Sequence, residues 1–165
     1  MLLMSGVFLW SELDNRLQKM NEHRSATYQR VWFITGSSDG LGRALTDAVL
    51  ATGERAVVTA RTPERIRDLI ERYPAQALVL ELDVTRPDQI RQAVSEAIDR
   101  FGRIDVLVNN EGFSAALAEE LAPLRIKVIT IDSVSANGHE PGDSAAAAEG
   151  IIAAVNADAA EIGSE

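Results

Sequence analysis

The segment TGSSDGLG, residues 35–42, brings Gly36, Gly40 and Gly42 together in one short loop. Glycines at this spacing permit a tight turn, let a backbone approach a pyrophosphate, and let the next helix pack close to a sheet. A helix beginning there offers free N–H groups and a favourable dipole to phosphates. The candidate cofactor contacts are therefore Gly36, Ser37, Ser38, Gly40, Leu41 and Gly42. Arg61 stands 19 residues beyond Gly42, where an acidic residue would grip the ribose 2′-hydroxyl of NAD. A guanidinium suits the 2′-phosphate of NADP through a charge-assisted contact, so NADP is expected in preference to NAD. Asp39, inside the loop, carries a charge that opposes such a phosphate.

Other chemistry is sparse. The chain has no cysteine, which excludes disulfides, thiolate catalysis and Cys-based zinc sites. His23 and His139 are far apart and have no ligand-like spacing, so no metal site is expected. The two tyrosines are Tyr28 and Tyr73, the two lysines Lys19 and Lys127. Trp32 and Ala77 stand four residues beyond the tyrosines, so no tyrosine has a lysine one helical turn away.

The elements that must position the loop alternate regularly. VWFIT (31–35) is a β-rich apolar run leading into the glycines, and GRALTDAVLAT (42–52) has helical spacing up to Gly53. AVVTA (56–60) is a second strand, followed by Thr62 as N-cap and Pro63 in the first turn of a helix, ERIRDLIERY. ALVLEL (77–82) is a third strand. Thr85 and Pro87 then introduce the helix DQIRQAVSEAIDRF, which Gly102 closes, and IDVLV (104–108) is a fourth strand. Continuous Val/Ile/Leu runs are buried on both faces, which requires a parallel sheet with helices on each side. Four βα units in succession predict a Rossmann-like, doubly wound α/β domain over residues 31–165, after an N-terminal extension over 1–30. The alanine-rich DSAAAAEGIIAAVNADAA predicts a terminal helix.

Composition bounds the partners. Of the 165 residues 46 % are hydrophobic and 25 % charged, an ordinary globular mixture. The net charge of −9 is concentrated late: residues 111–165 carry 10 acids against only Arg125 and Lys127. Nucleic acid is not an expected partner, because phosphate backbones require clustered Lys and Arg. MLLMSGVFLW is too short to span a bilayer and lacks the charged start and cleavage site of a signal peptide, so a cytoplasmic location without membrane contact is expected. Leu9, Leu13, Leu17 and Met20 follow helical spacing, and Met20 is an alternative start.

These residues resemble the short-chain dehydrogenase/reductase family over residues 31–110, about half of the chain. TGSSDGLG looks like its glycine motif, with Thr35, Gly36, Gly40 and Gly42 matching. LDVT (82–85) resembles the segment whose Asp83 and Val84 lie against the adenine ring. VNN (108–110) is similar to the start of its Asn-Asn-Ala-Gly motif, which implies that Asn109 stabilises the central sheet and lines the cofactor.

The resemblance also implies what is missing. In the family, Asn-Asn-Ala-Gly leads to a long helix, a strand ending in a catalytic serine, and a Tyr-x-x-x-Lys motif on the next helix. Here Glu111 replaces the alanine, and EGFSAALAEELAPLRIKVITI resembles the helix and strand that follow that motif, so the active-site segment is expected to be absent between Asn110 and Glu111. A second arrangement sets helix 113–122 and KVITI beside the fourth strand, with Ser133 or Ser135 at the catalytic serine's place. The tyrosine and lysine places then fall among Ala145–Gly150. Either way the proton donor is lost. A tyrosine of ordinary pKa about 10 needs a nearby cation to act near neutrality, and losing a general acid/base costs on the order of 10²–10⁴ in rate. The expected function is an NADP(H)-binding relative of carbonyl and alcohol oxidoreductases with impaired catalysis. The alternative is a relic or interaction module that binds no cofactor. Substrate and oligomeric state are left open.

Overall fold

Val31, Trp32, Phe33 and Ile34 are all buried, and no hydrophilic face relieves them, so the strand they form can only be central. The computed structural model describes residues 29–110, 115–124, 126–131 and 143–162. It places this strand, β1 (Val31–Ile34), in the middle of a five-stranded sheet. β2 (Arg55–Ala60) and β3 (Ala77–Glu81) lie on one side, β4 (Val106–Asn109) and β5 (Lys127–Thr130) on the other. The order is β3-β2-β1-β4-β5, and every pairing is parallel.

The pleat sends alternate residues of β1 into two cores. Trp32 and Ile34 pack with Leu45, Val49 and Leu50 of α1 (Gly40–Ala51), with Leu69 of α2 (Asp68–Arg72), and with Ala148 and Val155 of a C-terminal helix. Val31 and Phe33 pack with Ile90, Ala93, Val94 and Ala97 of α3 (Pro87–Phe101) and with Leu117 and Leu121 of α4 (Ala115–Leu121). The C-terminal helix, α5 (Asp143–Ile162), thus shares a face with α1. Both faces of the sheet are covered, as the apolar strands require. Phe33 sits in register with Val57 on one side and Leu107 on the other, and Leu107 with Val128. That row ends at an edge, where Val128 is 47 % exposed.

Local departures from the sequence reading are few. α1 begins at Gly40, two residues before the expected start. The helix expected over ERIRDLIERY divides into a 3-10 turn (Pro63–Ile66) and the short α2, and Thr62 makes no capping contact with its side chain. Pro87 opens α3, as a ring that needs no N–H partner can. The tail's helix forms as expected, while its predicted N-terminal counterpart over residues 9–20 lies outside the described residues.

KVIT takes the slot directly beside β4, with Asn109 opposite Thr130. This is the second of the two arrangements open in the sequence. Among the described residues no helix is long and apolar enough to cross a membrane.

Candidate functional site

The carboxyl ends of β1, β2 and β4 converge on the glycine loop, and hydroxyls tie them together. Thr35 donates its N–H to Val108 O at 3.0 Å, and its Oγ1 accepts the N–H of Asn110 at 2.9 Å. Ser37 donates its N–H to Thr59 O at 2.9 Å. The hydroxyls of Ser37 and Thr59 both reach Ile34 O, each at 3.2 Å. Thr35, Ser37 and Thr59 are wholly buried, so these bonds replace water inside the sheet's end.

Two glycines are required by this geometry. A Cβ on Gly42 would lie 2.1 Å from Gly36 O and 2.6 Å from Asn110 Nδ2, so only hydrogen lets α1 seat against the loop. Gly40 has φ +54, a left-handed conformation that favours glycine, and the space its side chain would take is open. Ser38 is half-buried, and Leu41 packs half-buried on the α1 side of the core.

The asparagine pair divides its work. Asn110 Nδ2 donates to Gly36 O at 3.2 Å, fastening β4's end to the loop. Asn109 is 2 % exposed, and its Oδ1 is buried without a hydrogen-bond partner. Asn109 holds its place in the sheet by accepting the N–H of Ile131 on its backbone carbonyl at 3.1 Å, while the bonds to Thr35 and Gly36 come from Asn110. The doubled asparagine was the available signal for it.

Arg61 follows β2 and is exposed, and among the described residues no hydrogen bond or ion pair holds its guanidinium. Asp83, after β3, accepts the hydroxyl of Thr85 at 2.7 Å and its N–H at 2.9 Å. Those bonds, the hydroxyl foremost, hold its carboxyl below the usual range, and the charges of Arg61 and Arg86 add to the effect. Val84 is half-buried against the α3 side of the core. Asp39 is paired with Arg65 at 3.4 Å, a partner that sequence reasoning missed although Arg65 lies one helical turn beyond Arg61.

A second cluster braces this region. Arg43 of α1 bonds Asp47 at 2.9 Å and Asp68 at 3.0 Å, and Arg72 bonds Asp47 at 2.6 Å. The hydrogen bond to Arg43 is the main reason the Asp68 carboxyl titrates lower than usual, and Asp68 in turn raises the Arg43 guanidinium. The clasp holds α2, and with it the turn bearing Arg65, against α1.

These residues fit a nicotinamide dinucleotide: open space at Gly40, where the N-terminus of α1 begins, and a buried acceptor at Asn109 left without a partner. Ser133 and Ser135, the candidate serines, lie outside the described residues. Where Tyr-x-x-x-Lys would fall, the first turns of α5 carry alanines, Glu149 and Gly150.

The family model described as short chain dehydrogenase matches residues 30–122, more than half of the chain. Oxidoreductase BOA17 of Botryotinia fuckeliana (strain B05.10) is 42 % identical over 92 residues, which cover 55 % of this chain and 34 % of the relative. The chain thus spans about a third of the length of such curated relatives. Among solved structures, a short-chain dehydrogenase from Streptomyces avermitilis is 27 % identical with a TM-score of 0.60, covering 81 % of this chain and 60 % of its own. A 3-ketoacyl-(acyl-carrier-protein) reductase from Brucella melitensis, complexed with NADH, shares the fold at 17 % identity and TM-score 0.57, over 76 % of this chain and 66 % of its own.

Proposed function

The chain belongs to the short-chain dehydrogenase family, and from that premise we propose that it binds NADP(H) on the glycine loop and transfers hydride feebly or not at all. The binding reading is carried by the open, left-handed Gly40 at the head of α1, together with the buried and unpartnered Asn109 Oδ1 at the end of β4. Ser38, Gly40 and Leu41 would face the phosphates, with the buried Gly36, Ser37 and Gly42 shaping the loop behind them. Arg61 would meet the 2′-phosphate, Asp83 and Val84 the adenine, and Asn109 the cofactor's inner side. When bound, the dinucleotide supplies hydride exchange with a carbonyl or alcohol carbon.

Impaired catalysis is supported by the inventory. Neither Tyr28 nor Tyr73 has a lysine one turn away, and the start of α5 carries no phenol or ammonium. Without such a group the developing alkoxide lacks a positioned proton donor. A serine alone cannot replace it.

Calorimetric titration of the folded chain with NADP⁺, then NAD⁺, tests the binding reading. Saturable binding that favours NADP⁺ is expected. NADPH consumption across a panel of aldehydes and ketones should stay at the level without protein. No heat with either dinucleotide would leave the fingerprint as scaffold only, and clear turnover would overturn the catalytic reading.

A further inference from the structure

Asp39, Arg61 and Arg65 flank the glycine loop, with Asp83 close enough to feel the charge of Arg61, and Asp39 and Arg65 are spent on each other. Arg65, on the 3-10 turn after β2, reaches back to Asp39 in the loop at 3.4 Å. Both side chains are well exposed, at 58 % for Arg65 and 73 % for Asp39. Arg61, four residues earlier, is exposed on the same connection without an ion pair among the described residues. An ion pair this exposed is weakly held, because water screens it and two long side chains must be ordered to make it. The turn does not depend on it for position. Ile66 is buried in the core, and the Arg43–Asp68 and Arg72–Asp47 bonds fasten the following helix to α1. Arg65 is thus fixed at its base and loosely engaged at its tip. A phosphate dianion offers more charge and more acceptor oxygens than one carboxylate.

We propose that Asp39 and Arg65 form an exchangeable pair: the 2′-phosphate of NADP(H) displaces the Asp39 carboxylate and takes Arg65 as its second cation beside Arg61. The proposal rests on the dinucleotide reading above and adds to it a residue and a reason for limited discrimination. In the free chain Asp39 masks one of the two cations that would select NADP(H). In the complex it must leave Arg65 while staying near a like charge. Asp39 therefore weakens the preference that Arg61 and Arg65 together would give.

The test is a set of calorimetric titrations with NADP⁺, NAD⁺ and adenosine 2′,5′-bisphosphate, on the unaltered chain, Asp39→Asn, Arg65→Gln and the double variant. Arg65→Gln should weaken NADP⁺ and the bisphosphate roughly two- to fivefold and leave NAD⁺ unchanged, as expected for one exposed charged contact. Asp39→Asn should tighten the same two ligands by a comparable factor. In the Arg65→Gln background that gain should largely vanish, because the cation it releases is gone. An equal gain with and without Arg65 would mean that Asp39 acts by direct repulsion, and the exchange would be wrong. It would be equally wrong if Arg65→Gln left all three ligands unaffected. Absence of dinucleotide binding to the unaltered chain would overturn the underlying reading along with this one; binding without the coupling overturns the exchange alone.

Discussion

Asn110 Nδ2 lies 3.2 Å from Gly36 O and would lie 2.6 Å from any Cβ placed on Gly42. One side chain therefore bonds the loop's first glycine and closes the space beside its last. The carboxyl end of β4, the loop and α1 are packed to contact at a single point.

Gly42→Ala should be poorly tolerated. The new methyl would meet a backbone carbonyl at 2.1 Å, and neither α1 nor β1 can withdraw without opening the core between them. Overpacking of this kind costs about 1–3 kcal/mol. Urea denaturation should show a lowered midpoint, and dinucleotide binding should be lost with it.

Asn110→Ala leaves the space but removes the donor to Gly36 O, a change of about 1 kcal/mol. Because this bond supports the loop and touches no 2′-phosphate, calorimetry should show NADP⁺ and NAD⁺ weakened alike.

Arg61→Ala should separate the two cofactors. Its guanidinium is exposed and bonds nothing among the described residues, so stability should change little. Affinity for NADP(H) should fall roughly tenfold while NAD(H) is spared, on the scale of a lost charged contact. Equal losses would remove Arg61 from the 2′-phosphate.

Glu54 joins three elements. It accepts from Arg30 at 2.6 Å and from the indole N–H of Trp32, and Arg30 also bonds Asn156 of α5. Glu54→Ala leaves the fully buried Trp32 indole without its acceptor, which costs about 1–3 kcal/mol. Thermal unfolding followed by tryptophan fluorescence should report the loss directly.

Acid should loosen the α1–α2 clasp. The Asp68 carboxyl is depressed in the folded chain, chiefly by its hydrogen bond to Arg43, from an ordinary value of 3.8. A depressed carboxylate contributes stability that is present above its unfolded pKa and is lost as pH falls through the folded one. Urea midpoints should therefore be level above about pH 5 and decline below about pH 4. Asp68→Asn should lower the plateau slightly and flatten part of that decline.

Much of this was legible in the linear sequence because it rests on short-range rules. Strands buried on both faces read as runs of Val, Ile and Leu, and glycine at 36, 40 and 42 reads as a turn that a backbone must approach closely. The want of a lysine one turn after Tyr28 or Tyr73 is a fact of spacing alone. What only the tertiary structure decided involves partners distant along the chain. β5 could follow β4 at a remove or lie beside it, since either connection satisfies its apolar pattern; the pairing of Asn109 with Thr130 settles it. Which of two adjacent asparagines meets Gly36 depends on the pleat of β4 against β1, and the doublet itself is silent on that. Asp39 reads in sequence as a charge near a phosphate, and folding the turn after β2 back toward the loop gives it Arg65 as a partner.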